Sequence, residues 1–415
     1  MSVEKNVPEI RFKGFNDEWA NINIGVIFQV TSGATPLRSD ARFFENADVS
    51  WVKTTDLNNG VILKTEEKIS QIALAETSVK ILPKGTVFVA MYGGFNQIGR
   101  TGLLETEATC NQALSAIYPN SKVVPYYLLT FLNLNVDAWK DLAASSRKDP
   151  NITKSDVLAF PFLYPSIKEQ TAIGNIFQKL DNLINQHQQK QNKLSSIKKS
   201  MLEKMFPKQG ETIPEIRFKG FSGEWKEVSL SDFGVATSGT SIESEFTKDG
   251  KYKVISIGSY SENSVYTEQG IRASLSPKTE SRVLNKNDLT MILNDKTLAG
   301  NIIGRVLLVD EDDSYVYNQR TQRIEPSSEY NPQFLYQFLN APSVRKRIFK
   351  ASQGNTQIYV NWSAISKLKY FIPKKDEQIV IGNYFQKLDA LINQHQQQIT
   401  KLNNIKQASL HKMFV

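Results

Sequence analysis

The sequence predicts a mixed α/β fold in which two globular domains are joined by two long antiparallel coiled-coil helices with pseudo-two-fold symmetry. Two repeated segments carry this prediction. PEIRFKGF at Pro8–Phe15 recurs letter for letter at Pro214–Phe221. The segment Ile173–Phe206 recurs at Ile381–Phe414, with about two-thirds of its residues identical. A repeat period of about 200 residues is too long for a solenoid and indicates a duplicated domain.

Between the repeated segments lie two middles of similar length and different content. Short β-rich runs separated by Gly, Asn and Asp predict strands at Val87–Tyr92, Tyr252–Tyr260 and Arg305–Val309. Helical patterns follow in each middle, at Tyr126–Ala144 and Pro332–Lys350. We therefore expect a first globular domain over 1–172, a helix over 173–207, a second domain over 208–380 and a helix over 381–415. The order of the strands is not predictable from these patterns.

Both long helices carry a seam of residues spaced alternately by four and three, which is typical of a coiled coil. The seam positions are Ile173, Phe177, Leu180, Ile184, His187, Gln191 and Leu194, then Ile381, Phe385, Leu388, Ile392, His395, Ile399 and Leu402. Beyond these, Ile197 and Ile405 follow after three residues, where strict packing is expected to loosen. Each stripe matches only its own copy, so we expect an antiparallel pair about a two-fold axis, with Pro8 beside Phe414.

His187 and His395 occupy equivalent seam positions near the helix midpoints. One interpretation is a polar layer that fixes the register of the coiled coil. The other, equally open, is two partly exposed side chains without a special role. A metal site made from two histidines alone is not expected.

Composition favours a polyanionic partner and a cytoplasmic location. The chain has 415 residues and a net charge of +8, with a pI near 9.1. Its single cysteine, Cys110, rules out a disulfide framework. No run approaches the ~18 apolar residues that span a bilayer, and no secretory leader is recognisable.

Catalytic motifs are missing from the sequence. Gly93–Gly99 is glycine-rich but lacks the Gly-Lys-Ser/Thr ending of a phosphate-binding loop. Asp149–Ile152 (DPNI) reads as a turn rather than as a methyltransferase motif. The three histidines all fall on predicted helices, which leaves little material for a triad. We therefore predict no catalytic or metal centre on this chain.

The middles are rich in the residue types that read DNA, because Arg and Lys suit guanine edges and phosphates while Asn and Gln suit adenine. For any single residue, an ordinary surface position is the alternative. The candidates in the first middle are Arg38, Lys53, Asn58, Asn96, Arg100, Arg147 and Lys148. Those in the second are Ser259, Asn294, Lys296, Arg305, Arg320, Gln353 and Asn355.

Three short elements recur in register inside the divergent middles. Thr-Ser-Gly stands at 31–33 and 237–239, Ile-Gly-Arg at 98–100 and 303–305, and Asn-Gln at 111–112 and 318–319. Positions kept through such divergence favour a scaffold role, or a shared backbone contact, over base choice. For Thr-Ser-Gly a turn or a helix N-cap is the expected structure.

The order of elements resembles the specificity subunit of type I restriction–modification systems. The resemblance rests on the Phe-Lys-Gly-Phe arm with its Trp, on the Thr-Ser-Gly-x-Thr-Pro opening at Thr31–Pro36 and on the Asn-Gln pair. It rests also on the Lys/Asp-Glu-Gln steps at Lys168–Gln170 and Asp376–Gln378. It covers the whole chain. The second half departs from the pattern at Ser241–Ile242, where Thr-Pro is usual.

This resemblance implies a non-catalytic DNA-binding subunit. Each middle would be a target recognition domain that reads one half of a bipartite, asymmetric double-stranded DNA site, and the helices would set the gap. The repeated segments would bind two DNA adenine methyltransferase (modification) subunits. Restriction subunits would join them. S-adenosylmethionine, ATP and Mg would be bound by those partners, and this chain would carry no cofactor and contact no membrane.

Two other classes stay open from the sequence alone. A fused DNA methyltransferase or nuclease would transfer methyl groups, or cut, as an isolated chain. A coiled-coil adaptor that binds only proteins would fail to shift DNA of random sequence at low salt.

Overall fold

The structure, a computed structural model, describes residues 6–144 and 150–415. It contains two compact units. The first is Met1–Gln188 together with Gln397–Val415, and the second is Gln189–Gln396. Each unit therefore holds one middle, the N-terminal part of one long helix and the C-terminal part of the other.

The first unit is a mixed α/β unit. Its helices are α1 Ile24–Ile27, α2 Gln71–Glu76, α3 Pro125–Leu134, α4 Val136–Ala144, α5 Lys154–Ala159 and the start of α6 Ile167–Lys204. Its strands are β1 Ala20–Asn23, β2 Val30–Ser32, β3 Val49–Val52, β4 Gly60–Ile62, β5 Glu67–Ile69, β6 Val87–Ala90, β7 Thr101–Leu104, β8 Thr109–Cys110, β9 Leu114–Ile117 and β10 Pro161–Tyr164. Two 3-10 turns lie at Ala41–Phe43 and Thr54–Asp56.

The main sheet of the first unit has the strand order β2-β9-β6-β7-β4 and is buried on both faces. Along β6, Val87 and Val89 join the core on one side while Phe88 and Ala90 join the core on the other. This alternation is the period of two that a strand imposes. A smaller sheet, β5-β3-β8, and the antiparallel pair β1-β10 complete the unit.

The second unit repeats this architecture. Its strands are β11 Lys226–Ser229, β12 Gly234–Ser238, β13 Tyr252–Ile255, β14 Arg272–Ala273, β15 Leu289–Ile292, β16 Asn294–Asp295, β17 Val306–Leu308, β18 Tyr315–Tyr317, β19 Thr321–Pro326, β20 Ile358–Tyr359 and β21 Lys369–Ile372. Its helices are α7 Pro277–Glu280, α8 Pro332–Asn340, α9 Pro342–Lys350, α10 Trp362–Ile365 and the start of α11 Lys375–Met413. Its 3-10 turns are Leu230–Phe233, Glu243–Glu245 and Ile257–Ser259.

The two units share a strand order that sequence patterns did not reveal. The order β12-β19-β15-β17 reproduces β2-β9-β6-β7, and β14-β13-β18 reproduces β5-β3-β8, with the parallel pairing of the last two strands kept in both. The pair β11-β21 matches β1-β10. The units differ at one edge, where β4 extends the first main sheet and the second unit has the separate pair β16-β20.

The long helices run antiparallel within each unit, as predicted. Lys406 Nζ lies 2.5 Å from Asp181 Oδ1 in the first unit. Lys198 Nζ lies 2.6 Å from Asp389 Oδ1 in the second. These are equivalent pairs, since Lys198 and Asp181 are the counterparts of Lys406 and Asp389 in the repeat. The seam positions are buried or half-buried along both helices, so the predicted stripe is confirmed.

The helix boundaries and the end of one seam differ from the prediction. Helices α6 and α11 begin at 167 and 375, six residues before the expected 173 and 381, because the Lys/Asp-Glu-Gln step forms their first turn. After Leu402 the half-buried position is Lys406, and Ile405 is 42% exposed, so the slip expected at Ile405 does not occur. Lys406 turns inward instead, toward Asp181. Ile197 does pack against the second core.

Each arm is fastened to a helix end of its own unit. The backbone N–H of Ile10 donates to Lys412 O at 2.7 Å, and that of Ile216 donates to Lys204 O at 2.9 Å. The arm at Ile10 therefore lies beside the end of α11, in agreement with the symmetry argument. In both arms an arginine then reaches a buried glutamate on the first turn of a long helix, in the pairs Arg11–Glu169 and Arg217–Glu377.

Candidate nucleic-acid interface

Loops at one end of the sheets gather into a polar edge in the first unit. We define the first polar edge as residues 33–38, 53–56, 92–97 and 111–112. The N–H of Ala34 donates to Cys110 O, and that of Asn111 to Val52 O, each at 3.0 Å. A side-chain hydrogen bond joins Thr35 to Gln112. Chain segments far apart in sequence thus present their polar groups together.

The second unit assembles an equivalent edge from different side chains. We define the second polar edge as residues 239–243, 294–301, 318–320 and 353–359. Gln319 Nε2 donates to Glu243 Oε1 at 2.9 Å. The N–H of Asn318 donates to Ile255 O at 3.3 Å, in the place where Asn111 binds Val52. Asn294 pairs with Tyr359 in the short sheet β16-β20.

The recurring Thr-Ser-Gly and Asn-Gln elements meet one another at these edges. A Cβ on Gly33 would lie 2.1 Å from Cys110 O, and one on Gly239 would lie 1.8 Å from Asn318 O. Only glycine allows the two backbones to pass this closely. The expected turn or N-cap is therefore replaced by the end of a strand crossing the Asn-Gln turn, and the predicted scaffold role is confirmed.

The Ile-Gly-Arg elements are scaffold as well. Gly99 and Gly304 have φ of +75° and +70°. Gly99 packs against Trp139 of α4, and Gly304 packs against Ile348 of α9. The preceding isoleucines are fully buried. The sharp turn they fix leads from the β6–β7 and β15–β17 loops back into the main sheets.

Two of the predicted DNA-contacting residues in the first unit, Arg38 and Lys53, already form ion pairs within the protein. Arg38 pairs with Glu67 at 2.6 Å, and its guanidinium lies 4.9 Å from the Trp51 ring. Lys53 pairs with the same carboxylate at 2.6 Å, and that hydrogen bond raises the pKa of the lysine. The hydrogen bond from Arg38 and, next in size, the one from Lys53 lower the pKa of Glu67. The two cations are thus partly neutralised at the edge.

The remaining candidates of the first unit vary in exposure. Asn58 is exposed, but its side chain accepts from Gly60 N at 2.9 Å and shapes a turn. Asn96 is exposed on the β6–β7 loop, and Arg100 at the end of that loop is half-exposed. Arg147 and Lys148 lie outside the described residues.

Ser259 corrects the prediction for the second unit. It is fully buried in the 3-10 turn after β13, where its hydroxyl donates to Val254 O and accepts from Ser256 N. A side chain satisfied in this way supports the turn and does not face a ligand. By contrast, the exposed candidates of the second unit are Lys296, Arg320, Gln353 and Asn355.

Arg305 has a structural environment too. Its Nε donates to Asn301 O at 3.2 Å and its Nη1 to Ser264 Oγ at 3.0 Å. Burial lowers the pKa of Arg305. Burial, together with the nearby positive charge of Arg305, lowers the pKa of Arg345 to about 10. Asn294 is half-buried in its strand pair. Arg305 and Arg345 therefore stabilise the conformation of the β15–β17 loop.

Sequence reasoning missed the apolar tips of the two edges. Tyr92 and Phe95 are 37% and 48% exposed on the β6–β7 loop, and Leu298 is 57% exposed on the β15–β17 loop. The Gly-Gly-Phe letters at 93–95 were the available signal, since Gly93 and Gly94 adopt φ of +126° and +107°, a backbone conformation that favours glycine. Thr35 was missed because its partner, Gln112, is distant in sequence.

Metal-binding clusters and membrane spans are absent from the part of the chain that the structure describes. No group of three His, Cys, Asp or Glu side chains there is arranged to hold a metal ion. Within the same residues no helix is long and apolar enough to cross a membrane.

Comparisons with known proteins agree with this architecture. The family model for the type I restriction modification DNA specificity domain matches residues 16–196 and again 222–404. The MjaVIII specificity subunit of Methanocaldococcus jannaschii is 23% identical over 401 residues, 94% of this chain and 90% of its own length. The EcoR124I/EcoR124II specificity subunit of Escherichia coli is 23% identical over 181 residues, 42% of this chain and 44% of its own length.

A solved structure shares the fold over the whole chain. The S subunit of a type I restriction-modification system from M. genitalium superposes with a TM-score of 0.64 at 16% identity and covers 99% of both chains. The family matches span both units, including most of both long helices. The chain therefore belongs to the family of the type I restriction modification DNA specificity domain, which it carries in two copies.

Proposed function

We propose that this chain directs a type I restriction–modification complex to a bipartite, asymmetric double-stranded DNA site, with each polar edge reading one half-site. The observation that carries the proposal is the contrast between the polar edges and the rest of the two units. We call the shared strands, arms and long helices the frame. The two units share strand order, arm and helix contacts, yet their edges present different side chains. Two equal supports with different reading surfaces serve a target whose two halves differ.

The chemistry of the edges supports base readout. The first edge offers Thr35, Gln112 and Asn96, and the second offers Lys296, Arg320 and Gln353. Amides suit the donor–acceptor pair of adenine, and cations suit guanine and phosphates. The half-sites are thus expected to differ in sequence. The net charge of +8 adds an attraction that is independent of sequence and screened by salt.

Two methyltransferase subunits are proposed to dock on the repeated helix surface. Exposed residues on one face of each long helix are identical between the copies, namely Asn175, Lys179, Leu183 and Gln186, and Asn383, Lys387, Leu391 and Gln394. The leucines are each 43% exposed. Past the helix midpoints most exposed residues differ between the copies, as Ser196 and Asn404 do, although Lys193 and Lys401 are identical. One partner that binds twice supplies a reason for an identical exposed face on both helices.

The partners are proposed to carry the chemistry. Methyltransferase subunits would bring S-adenosylmethionine for adenine methylation, and restriction subunits would bring ATP and Mg for cleavage. This chain would supply sequence choice and no catalytic centre. The same proposal places the complex with its DNA, in the cytoplasm.

The docking proposal is tested by native mass spectrometry of the chain with its methyltransferase subunit. Leu183→Glu or Leu391→Glu alone is expected to reduce the stoichiometry from two methyltransferases to one, and the double variant to none. Ser196→Glu with Asn404→Glu is the matched control, since those positions are equivalent and exposed but differ between copies. A stable one-to-one assembly of the unaltered chain would contradict the proposal.

The DNA proposal is tested by selection of duplexes from a random library with the assembled complex. The expected outcome is a motif of two unlike half-sites separated by a fixed gap, about one helical turn between centres. A protein-only adaptor would select no motif. Methyl transfer by this chain alone would instead support a fused enzyme.

The long helices are proposed to set the gap. Inserting one heptad near His187 and another near His395 keeps the seam in register and adds ~10 Å of helix, or ~3 base pairs at ~3.4 Å each. The selected gap is expected to lengthen while both half-sites stay the same. An unchanged gap in a folded double-insertion variant would exclude this role, as would a fold unaffected by an insertion in one helix only.

A further inference from the structure

A basic cavity of about 250 Å³ lies in the second unit, away from the second polar edge. It forms between the segment that follows α6 and one face of α9. Its cationic lining residues are Lys208, Lys346, Arg347 and Lys350, and no carboxylate of the described residues lines it. The nearest ion-pair partner is Glu215, whose Oε2 lies 3.3 Å from Lys208 Nζ. The cavity therefore presents a net positive field to solvent.

The cavity wall holds one of these cations in place. The Arg347 guanidinium lies 4.4 Å from the centre of the Tyr370 ring, and Arg347 Nη1 donates to the carbonyl of Lys369. The Tyr370 hydroxyl is buried without a hydrogen-bond partner among the described residues. Burial raises the pKa of Tyr370 to about 12, so the hydroxyl stays protonated and lacks an acceptor near neutral pH.

Helix α9 joins this cavity to the second polar edge. Lys346, Arg347 and Lys350 share one face of the helix and line the cavity. On the other side, Arg345 Nη2 donates to Asn301 O and Ile303 O, each at 3.0 Å. Those carbonyls belong to the β15–β17 loop, whose residues 294–301 form part of the edge. Cavity and edge thus flank a single helix.

Among the described residues of the first unit, the corresponding helix does not share this charge pattern. This helix, α4, carries Asp137 and Asp141 and one lysine, Lys140, whose Nζ lies 3.6 Å from Asp137 Oδ1. The frame that both units share therefore does not require the basic face. A feature that only the second unit shows among the described residues, beside the surface that reads one half-site, points to a ligand met on that side.

We propose that the cavity binds a backbone phosphate of the DNA that flanks the second half-site, an inference that rests on the proposed function. Clustered Lys and Arg side chains match the acceptor oxygens of a phosphodiester. The cavity and the second polar edge are separated by the width of α9, about 10–12 Å. At ~3.4 Å per base pair, the contacted phosphate therefore lies roughly three base pairs beyond the bases read by the second polar edge.

The test compares full-length chains assembled with their methyltransferases on the duplex selected above. The variant is K346A/R347A/K350A, and the matched control, K248A/K286A/K367A, removes the same charge from exposed positions of the same unit outside the cavity. A milder variant, K346Q/K350Q, keeps Arg347 and its wall contacts. Affinity is measured from low to moderate salt, and thermal melting confirms folding.

The expected result is a loss of affinity of about tenfold for the cavity variant relative to the control. The slope of its log affinity against log salt should be shallower by ~0.9, the value for one phosphate that the variant no longer neutralises. The selected motif should not change, because phosphate contacts carry no base information. A single uncharged methylphosphonate about three base pairs outside the second half-site should weaken DNA binding by the unaltered chain and leave binding by the variant unaffected.

Other outcomes overturn the assignment. A cavity variant that matches the control in affinity and salt slope would show that DNA does not use the cavity. Micromolar binding of ATP or inorganic phosphate by calorimetry, abolished in the variant while DNA binding is unchanged, would assign the site to a free phosphate ligand instead. Failure of the unaltered complex to select any DNA motif would refute the proposed function, a result separate from either.

Discussion

Replacing Arg217 by alanine should be among the most destabilising single substitutions in the second unit. Arg217 is 18% exposed and donates to both carboxylate oxygens of Glu377, at 2.7 Å each. Its Nη1 also donates to Gly223 O at 2.6 Å and its Nη2 to Ser222 O at 3.3 Å. Glu377 is 2% exposed. The substitution therefore leaves a charged carboxylate buried without its partner, which costs about 3–5 kcal/mol.

The repeat supplies an internal comparison. Arg11 makes the same bidentate pair with Glu169, at 2.6 and 2.8 Å, but its remaining nitrogen, Nη1, is buried without a partner among the described residues. The two backbone hydrogen bonds of Arg217 are worth roughly 1 kcal/mol each. Arg11→Ala is thus expected to cost about 1–2 kcal/mol less than Arg217→Ala, and to act on the first unit.

Hydrogen exchange read by mass spectrometry is the suitable assay, because it reports protection separately for peptides of each unit. The double variant Arg217→Met/Glu377→Gln should cost clearly less than the sum of its single variants, since it removes both charges. Equal protection losses in both units, or single-variant costs that simply add, would refute the account of the buried pair as a local fastening of arm to helix.

Gly33→Ala should destabilise the first unit by about 3 kcal/mol, since its Cβ would meet Cys110 O at 2.1 Å, whereas Gly60→Ala, with 3.4 Å to its nearest neighbour, should fold normally when both are melted. Because the pKa of Glu67 is lower in the folded chain, its ion pairs stabilise the fold fully at pH values above the ordinary glutamate pKa of ~4.3. That stability is lost as pH falls through the lowered folded value, so Glu67→Gln should flatten the decline in unfolding free energy between about pH 5 and 3, and an unchanged decline would contradict it. A chain with its natural ends joined by a Gly/Ser linker and reopened near Gln209 should fold and select the same motif, because Ile10 binds Lys412 as Ile216 binds Lys204; an unfolded or unselective product would argue against it.

The arm, the helices and the family were predictable because their signals are local and repeated. Letter-for-letter identity at Pro8–Phe15 and Pro214–Phe221 reports duplication directly, and the spacing of Ile173, Phe177 and Leu180 reports a buried face. Antiparallel pairing then followed from symmetry, and the contacts of Asp181 and Asp389 agree with it.

The edges were less predictable because their partners are remote in sequence. Gly33 owes its place to the carbonyl of Cys110, and Arg38 and Lys53 are both held by Glu67. Ser259 looked like an available hydroxyl but satisfies a buried turn. Residue type alone cannot separate a cation free to meet DNA from one already paired. The strand order, likewise, depends on pairings that span the whole middle.

The most direct test of the central claim exchanges one middle and leaves the frame intact. Residues 30–165 are replaced by the equivalent segment of a relative that reads a different target, and methylated sites are mapped across the genome of cells that contain the complex. We expect a motif in which one half-site is new while the other half-site and the gap are unchanged. A chimera that alters both half-sites, or neither, would contradict two independent reading units on a shared frame.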